Sequence, residues 1–188
     1  NLTGPGSING KIVLAAGSKV LNGPSINLAN ATLNAGSSLS LLSGNVSNGG
    51  TFTVNTGANL LVASDALGSL ALVNAGQVDL VDGALLSGAF TNNSGGIVNI
   101  SATESTNATV NLTSLVNNSG AIVNLNSTSS VSNDLQVTLS SLSNSGTLNI
   151  TAGNGGARSL SGDVSNTSNG IINLTDSDFT LNDNSGFD

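Results

Sequence analysis

Asn92-Asn-Ser-Gly-Gly-Ile-Val-Asn-Ile100 reads as a polar corner followed by a short strand, and the chain repeats it with small changes. It returns as Asn117-Asn-Ser-Gly-Ala-Ile-Val-Asn-Leu125 and as Asn144-Ser-Gly-Thr-Leu-Asn-Ile150. Looser copies are Val46-Ser-Asn-Gly-Gly-Thr-Phe-Thr-Val54, Val73-Asn-Ala-Gly-Gln-Val-Asp-Leu80 and Val164-Ser-Asn-Thr-Ser-Asn-Gly-Ile-Ile-Asn-Leu174. Aligned on the corner glycines Gly50, Gly76, Gly96, Gly120, Gly146 and Gly170, the copies lie 26, 20, 24, 26 and 24 residues apart. A period in the twenties, with Gly/Asn corners and alternating apolar and polar residues between them, is the pattern of a solenoid.

A second phrase runs between the copies, as in Asn34-Ala-Gly-Ser-Ser-Leu-Ser-Leu41 and Asn55-Thr-Gly-Ala-Asn-Leu-Leu-Val62, with glycines at Gly17, Gly36, Gly57 and Gly83. Each coil thus carries at least two short strands with sharp corners, where glycine permits a positive φ and asparagine is the next most tolerant residue. Thr51-Phe-Thr-Val54 and Thr147-Leu-Asn-Ile150 alternate with period two, and no stretch shows a helical period. Strands this short gain stability by pairing, parallel and in register, with the equivalent strand one repeat away, which stacks aliphatic columns inside and Asn ladders along the rod. The expected fold is all-β: a right-handed parallel β-helix of about eight coils with essentially no helix, on the order of 40 Å long at the parallel strand spacing. One domain spans 1–188, with a less regular start at 1–35, Pro5 and Pro24 at turns, and an acidic final segment at 176–188. Polar excursions are expected at 103–107, 126–133 and 153–158. The inward positions are assigned to Phe52, Val54, Val78, Leu80, Ile97, Ile100, Ile122, Leu125, Leu148, Ile150, Ile171 and Leu174.

Composition narrows the function. The chain has four Phe and no Trp, Tyr, Met, Cys or His, so its core is built from Val, Ile, Leu and Ala. At 38% hydrophobic residues it is too apolar for a disordered linker. Three cations against ten acids, a net charge of -7, leave almost nothing to neutralise phosphates, which argues against a nucleic-acid partner. No apolar run approaches the roughly 20 residues of a spanning helix. The absence of cysteine excludes disulfides and thiolate metal sites. Scarce Lys and Glu with abundant Asn, Ser, Thr and Gly point to a place outside the cell. The chain opens at Asn1 without a Met or a leader and reads as a mature protein or a piece of a longer one.

With these phrases in view, the chain resembles the parallel β-helix of exported bacterial surface proteins, filamentous-haemagglutinin-like adhesins and autotransporter passenger domains. The residues that carry the likeness are 92–100, 117–125 and 144–150, and the likeness spans roughly 8–175. It implies export to the cell surface, a rod that projects a binding region, and often fibre formation; its motifs specify stacking and transfer no binding residue.

Parallel β-helices also house polysaccharide-active enzymes, which work with paired carboxylates. Asp79 and Asp82 are close in sequence and stand to line up with Asp65 or Asp163 on one side of the rod. Acid–base partners, substrate clamps and sugar-stacking aromatics are nearly absent, so these acids read more simply as solvated corner residues and no catalytic residue is assigned. Asp176, Asp178, Asp183 and Asp188 offer hard oxygen ligands suited to Ca²⁺, without EF-hand spacing, and read more simply as a solvated acidic end. No cofactor is expected. Asn30, Asn99, Asn107, Asn111, Asn149 and Asn173 open Asn-X-Ser/Thr triplets, frequent by chance in such a composition. Thr51 and Thr53 suggest a flat ice-binding face, but the alignment places Gln77 and Asp79 or Val98 and Asn99 at the matching positions.

The ends carry the sharpest inference. A solenoid exposes an unpaired strand edge unless it is capped, and no amphipathic helix is present to cap it. Either the rod continues or its ends pair with other copies, a heterologous contact that builds an open filament. The expected function is therefore an extracellular structural or adhesive rod, a filament subunit or an adhesin stalk. Its partners are itself or a surface glycan or receptor; the alternative is a ligand-binding face for ice or glycan.

Overall fold

A computed structural model describes residues 2–3, 7–8, 17–22, 25–43, 45–46, 49–63, 66–103, 107–127, 133–151, 156–175 and 178–184. Among them there is no helix, and the strands form parallel ladders stacked along one axis. The chain is an all-β parallel solenoid.

Three faces wrap one core. The first is a nine-stranded sheet that begins at Leu2–Thr3 and Gly17–Asn22. It continues through Ser37–Ser43, Asn59–Ala63, Gln77–Val81, Ile97–Ala102, Ile122–Ser127 and Thr147–Ile150 to Ile171–Leu174. The second face starts with two-residue strands and continues in the first halves of Leu85–Asn92, Ala108–Asn117, Leu135–Asn144 and Arg158–Asn166, ending at Phe179–Asp183. The third face holds Thr32–Leu33, Thr51–Val54 and Ala71–Asn74, then the second halves of those same long strands. About six turns are complete, against about eight expected from the repeat. The early turns have strands on the first sheet but little or nothing described on the third face.

Alternation fills the interior with aliphatic columns. Phe52, Val54, Val78, Leu80, Ile100, Leu125, Leu148 and Ile150 are buried, joined by Phe90 and a run of leucines. Ile97 and Ile122 are corrections: both point outward, half-buried, and their neighbours Val98 and Val123 take the core position. The column Val78, Val98, Val123, Leu148 is in register through successive turns. A one-residue shift flips every side chain to the other face, and two adjacent apolar residues cannot say by themselves which of them faces inward. Ile171 is corrected for the same reason: it is 53% exposed, and Ile172 stands in register with Leu148. Leu174 does share the column of Ile150, yet it is 54% exposed, because its strand pairs on one side only.

The corners also regroup. Hydrogen bonds from Ser37 N to Asn34 O, Ala58 N to Asn55 O, Gly96 N to Asn93 O, Ala121 N to Asn118 O and Gly170 N to Thr167 O are one turn repeated. The phrase at Gly36 and Gly57 is therefore the early form of the phrase at Gly96 and Gly170, whereas Gly83 lies at a different corner, after Val81. Gly50 also leaves the alignment: it opens Thr51–Val54 on the third face, whose partners are Thr32–Leu33 and Ala71–Asn74. Gly120 sits one residue early, and Ala121 takes the place equivalent to Gly96. Conformational freedom explains Gly95 and Gly120, with φ of 82° and 77°, but Gly76, Gly96, Gly146 and Gly170 are not in that region. They are glycine because a Cβ there would strike carbonyl or amide groups of the preceding turn or, at Gly96 and Gly170, also of the residue's own corner.

Candidate functional site at the last turn

Two amide ladders run the length of the regular coils, and their ends define the chemistry of the last turn. The inner one stands where the third face turns into the first sheet. Asn74, Asn92, Asn117 and Asn144 are fully buried there and continue to Asn166. Each Nδ2 donates to the next Oδ1, at 2.8 Å from Asn74 to Asn92, 2.9 Å on to Asn117, and 2.7 Å on to Asn144 and on to Asn166. The same nitrogens donate to the carbonyls of Ile97, Ile122, Thr147 and Ile171, the first residues of first-sheet strands one turn ahead. A corner cannot satisfy its own backbone groups by the strand ladder, and a buried unpaired group is costly, so the asparagine amide takes that role.

The second ladder lies on the outer face of the first sheet and runs the opposite way. Asn173 Nδ2 donates to Asn149 Oδ1, Asn149 to Asn124 and Asn124 to Asn99, each at 2.8 Å. Asn99 ends the series on Asp79 Oδ1 at 2.7 Å, and Gln77 Nε2 donates to both oxygens of that carboxylate at 3.0 Å. A carboxylate accepts without donating, so Asp79 terminates an all-donor chain.

Replacing Asn117 by Ala removes the acceptor of Asn92 and the donor to Asn144 and to Thr147 O. With buried polar groups left unpaired at about 1–3 kcal/mol each, the variant is expected to lose about 3 kcal/mol or more. Urea unfolding of the two proteins side by side checks this, and an unchanged midpoint would remove the ladder from the stability account.

The last turn is where the repeating contacts stop. Ile171–Leu174 pairs only with Thr147–Ile150, and Phe179–Asp183 only with Arg158–Asn166. Ile172, Leu174, Phe179 and Leu181, with Leu148, Ile150, Leu160 and Val164 beneath, line an open apolar depression. Asn166, with no further rung among the described residues, keeps only the bond to its corner glycine, Gly170 O at 3.0 Å, which Asn74 and Asn92 also make to Gly76 O and Gly96 O.

The acids do not converge into a site. Asp79 is on the first sheet, Asp163 is exposed on the third face in register with Ser141, and Asp65 lies outside the described residues. Asp82 sits at a corner with φ 47°, accepting from the backbone N–H and the hydroxyl of Thr103. Of the acidic end, Asp178 is exposed and Asp183 Oδ1 accepts from Val164 N at 3.2 Å; Asp176 and Asp188 lie outside the described residues. Among the described residues no three acidic side chains group as a cation would need. The expected excursions fall mainly on 104–106, 128–132 and 152–155, also outside them. Arg158 begins a strand rather than belonging to a surface loop. It is 2% exposed, in the register column of Leu135 and Phe179, and donates to Gly156 O.

Two further assignments change. Asn99, Asn149 and Asn173 hold the outer ladder through their side-chain amides, so a glycan at any of them would break it. Thr51 and Thr53 belong to the third face, where register continues Thr53 into Thr32 on one side and Val73, Thr91 and Val116 on the other. That column is more regular than the glycine alignment implied, but alanines and Asp163 fall in the one beside it.

No family model, no curated protein and no solved structure matches this chain at significance.

Proposed function

We propose that the chain serves as an extracellular structural rod, a stalk segment or filament subunit of an adhesive surface protein, and is not an enzyme. The observation that carries this is the pair of opposed amide ladders, which with the backbone ladders tie each regular turn to the next. Such a rod resists local opening, because no coil within the ladders unfolds without orphaning the amides of its neighbours. Its outer surface of Asn, Ser and Thr carries little charge, which suits a passive spacer. The composition, poor in Lys and Glu, supports a place outside the cell.

Negative-stain electron microscopy of the purified chain across a concentration series tests the reading. Particles of uniform width, as short rods or as filaments, are expected; compact particles without a long axis would overturn it. Concentration-dependent filaments would mean that copies pair end to end, and dispersed rods would favour a capped module or a stalk segment.

A further inference from the structure

We infer that the last turn is a selective acceptor for one more solenoid turn that carries asparagine at the inner-ladder position. It discriminates against turns that carry an aliphatic residue there, as those of Leu33 and Val54 do. The inference rests on the rod reading and deepens it by naming the partner's chemistry.

The apolar part of the surface is continuous with an interface the molecule makes repeatedly. Leu148, Ile150 and Leu160 are at most 2% exposed because a following turn covers them. Ile172, Leu174 and Leu181 occupy the same columns one turn on, and no described strand covers those. Apolar area alone would accept any coil of similar width. The ladder is what selects.

In every earlier rung one amide nitrogen is bound both to the next asparagine and to the carbonyl that begins the next first-sheet strand. Asn166 makes neither bond and donates only to Gly170 O. An incoming turn buries this amide and brings the strand-opening carbonyl to it whatever its sequence, but only an asparagine adds the side-chain oxygen that every earlier rung also has. Asparagine supplies that acceptor and carries the ladder onward. The turns at 25–43 and 49–63 do not: the same column holds Leu33 and Val54 there, in register with Asn74. On the outer face Asn173 already donates to Asn149, which leaves its Oδ1 facing onward for a donor such as the next asparagine. The partner is thus a parallel turn of the form Asn, a glycine-bearing corner, then a strand with an outward Asn, as in 117–125.

The test is a set of full-length chains, each extended beyond Asp188 through a flexible linker by one duplicated segment. The segments are 107–151, with Asn117 and Asn144; the same segment with both asparagines changed to Leu; and 25–63, with Leu33 and Val54. Hydrogen exchange of 171–183 reports docking, since a covering turn protects those amides. The asparagine-bearing segment is expected to raise protection about fivefold above either other segment, the ratio that one added hydrogen bond implies. An Asn166→Leu acceptor should lose that preference, and it should fold because Val54 and Leu33 already stand in this column. Equal protection by all three segments, or by none, would overturn the inference. The rod reading would survive either result if microscopy shows rods, and would fall only to compact particles.

Discussion

Val123→Asp should unfold the middle of the solenoid, while Ile122→Asp, one residue away, leaves it standing. Val123 is 1% exposed in a column between Val98 and Leu148, and no cation stands in that column to meet a carboxylate. An ionised group there is unpaired, and the valine's burial is lost as well, so the expected cost is about 4 kcal/mol or more. Ile122 faces outward between Ile97 and Thr147, half-buried, and an aspartate in that place reaches water. Its expected cost is about 1 kcal/mol. Chemical denaturation of both variants decides between the two registers: if Ile122→Asp were the damaging one, the inward column would be the one the glycine alignment suggested.

The second large effect is expected at Gly88. This glycine lies in Leu85–Asn92 where the strand leaves the second face for the third, between Leu86 and Ala89, and the register with the next turn shifts there. A Cβ at Gly88 would fall on the carbonyl oxygen of Leu70, a backbone atom of the preceding turn that cannot swing aside. Gly88→Ala should therefore separate the two turns and cost about 4 kcal/mol or more, among the largest effects expected of a single substitution. Gly95→Ala is the control. Gly95 has φ 82° but nothing within 4 Å of the added carbon, so it carries only left-handed strain of about 1–2 kcal/mol. Thermal melts of the pair should separate clearly; similar melting temperatures would show that the bend at Gly88 has room to spread.

Both predictions turn on what the repeat could and could not convey. The spacing of the glycine corners and the period-two strands point to a parallel solenoid, and the structure is one. The face on which each phrase sits was harder to read, because Gly50-Thr-Phe-Thr-Val54 and Gly76-Gln-Val-Asp-Leu80 look alike though they belong to different faces. An alignment on their glycines pairs Thr51 and Thr53 with residues of another face, whereas Thr53 shares its column with Thr32, Val73 and Thr91. Gly88 is hard to read for the opposite reason: it occupies no repeating phrase, and among the described residues that bend demands a glycine again only at Gly162, where a Cβ would meet Leu139 O in the same way. The inner asparagines were visible as Asn74, Asn92, Asn117 and Asn144, each just before a corner, but nothing local distinguishes a buried rung from a solvated turn residue.

The one-dimensional pattern by itself determined the class of fold, the aliphatic core, the absence of a basic or aromatic binding surface and the expectation of amide ladders. Composition and periodicity are properties of the chain, and each coil expresses them locally. Only the tertiary structure decided which of two adjacent apolar residues faces inward, which glycines answer to φ and which to a neighbouring carbonyl. It also fixed the opposite directions of the two ladders and the polar valence each leaves at the last turn. Those features arise between coils, from register and from contact between residues about one turn apart, and a single coil read alone does not contain them.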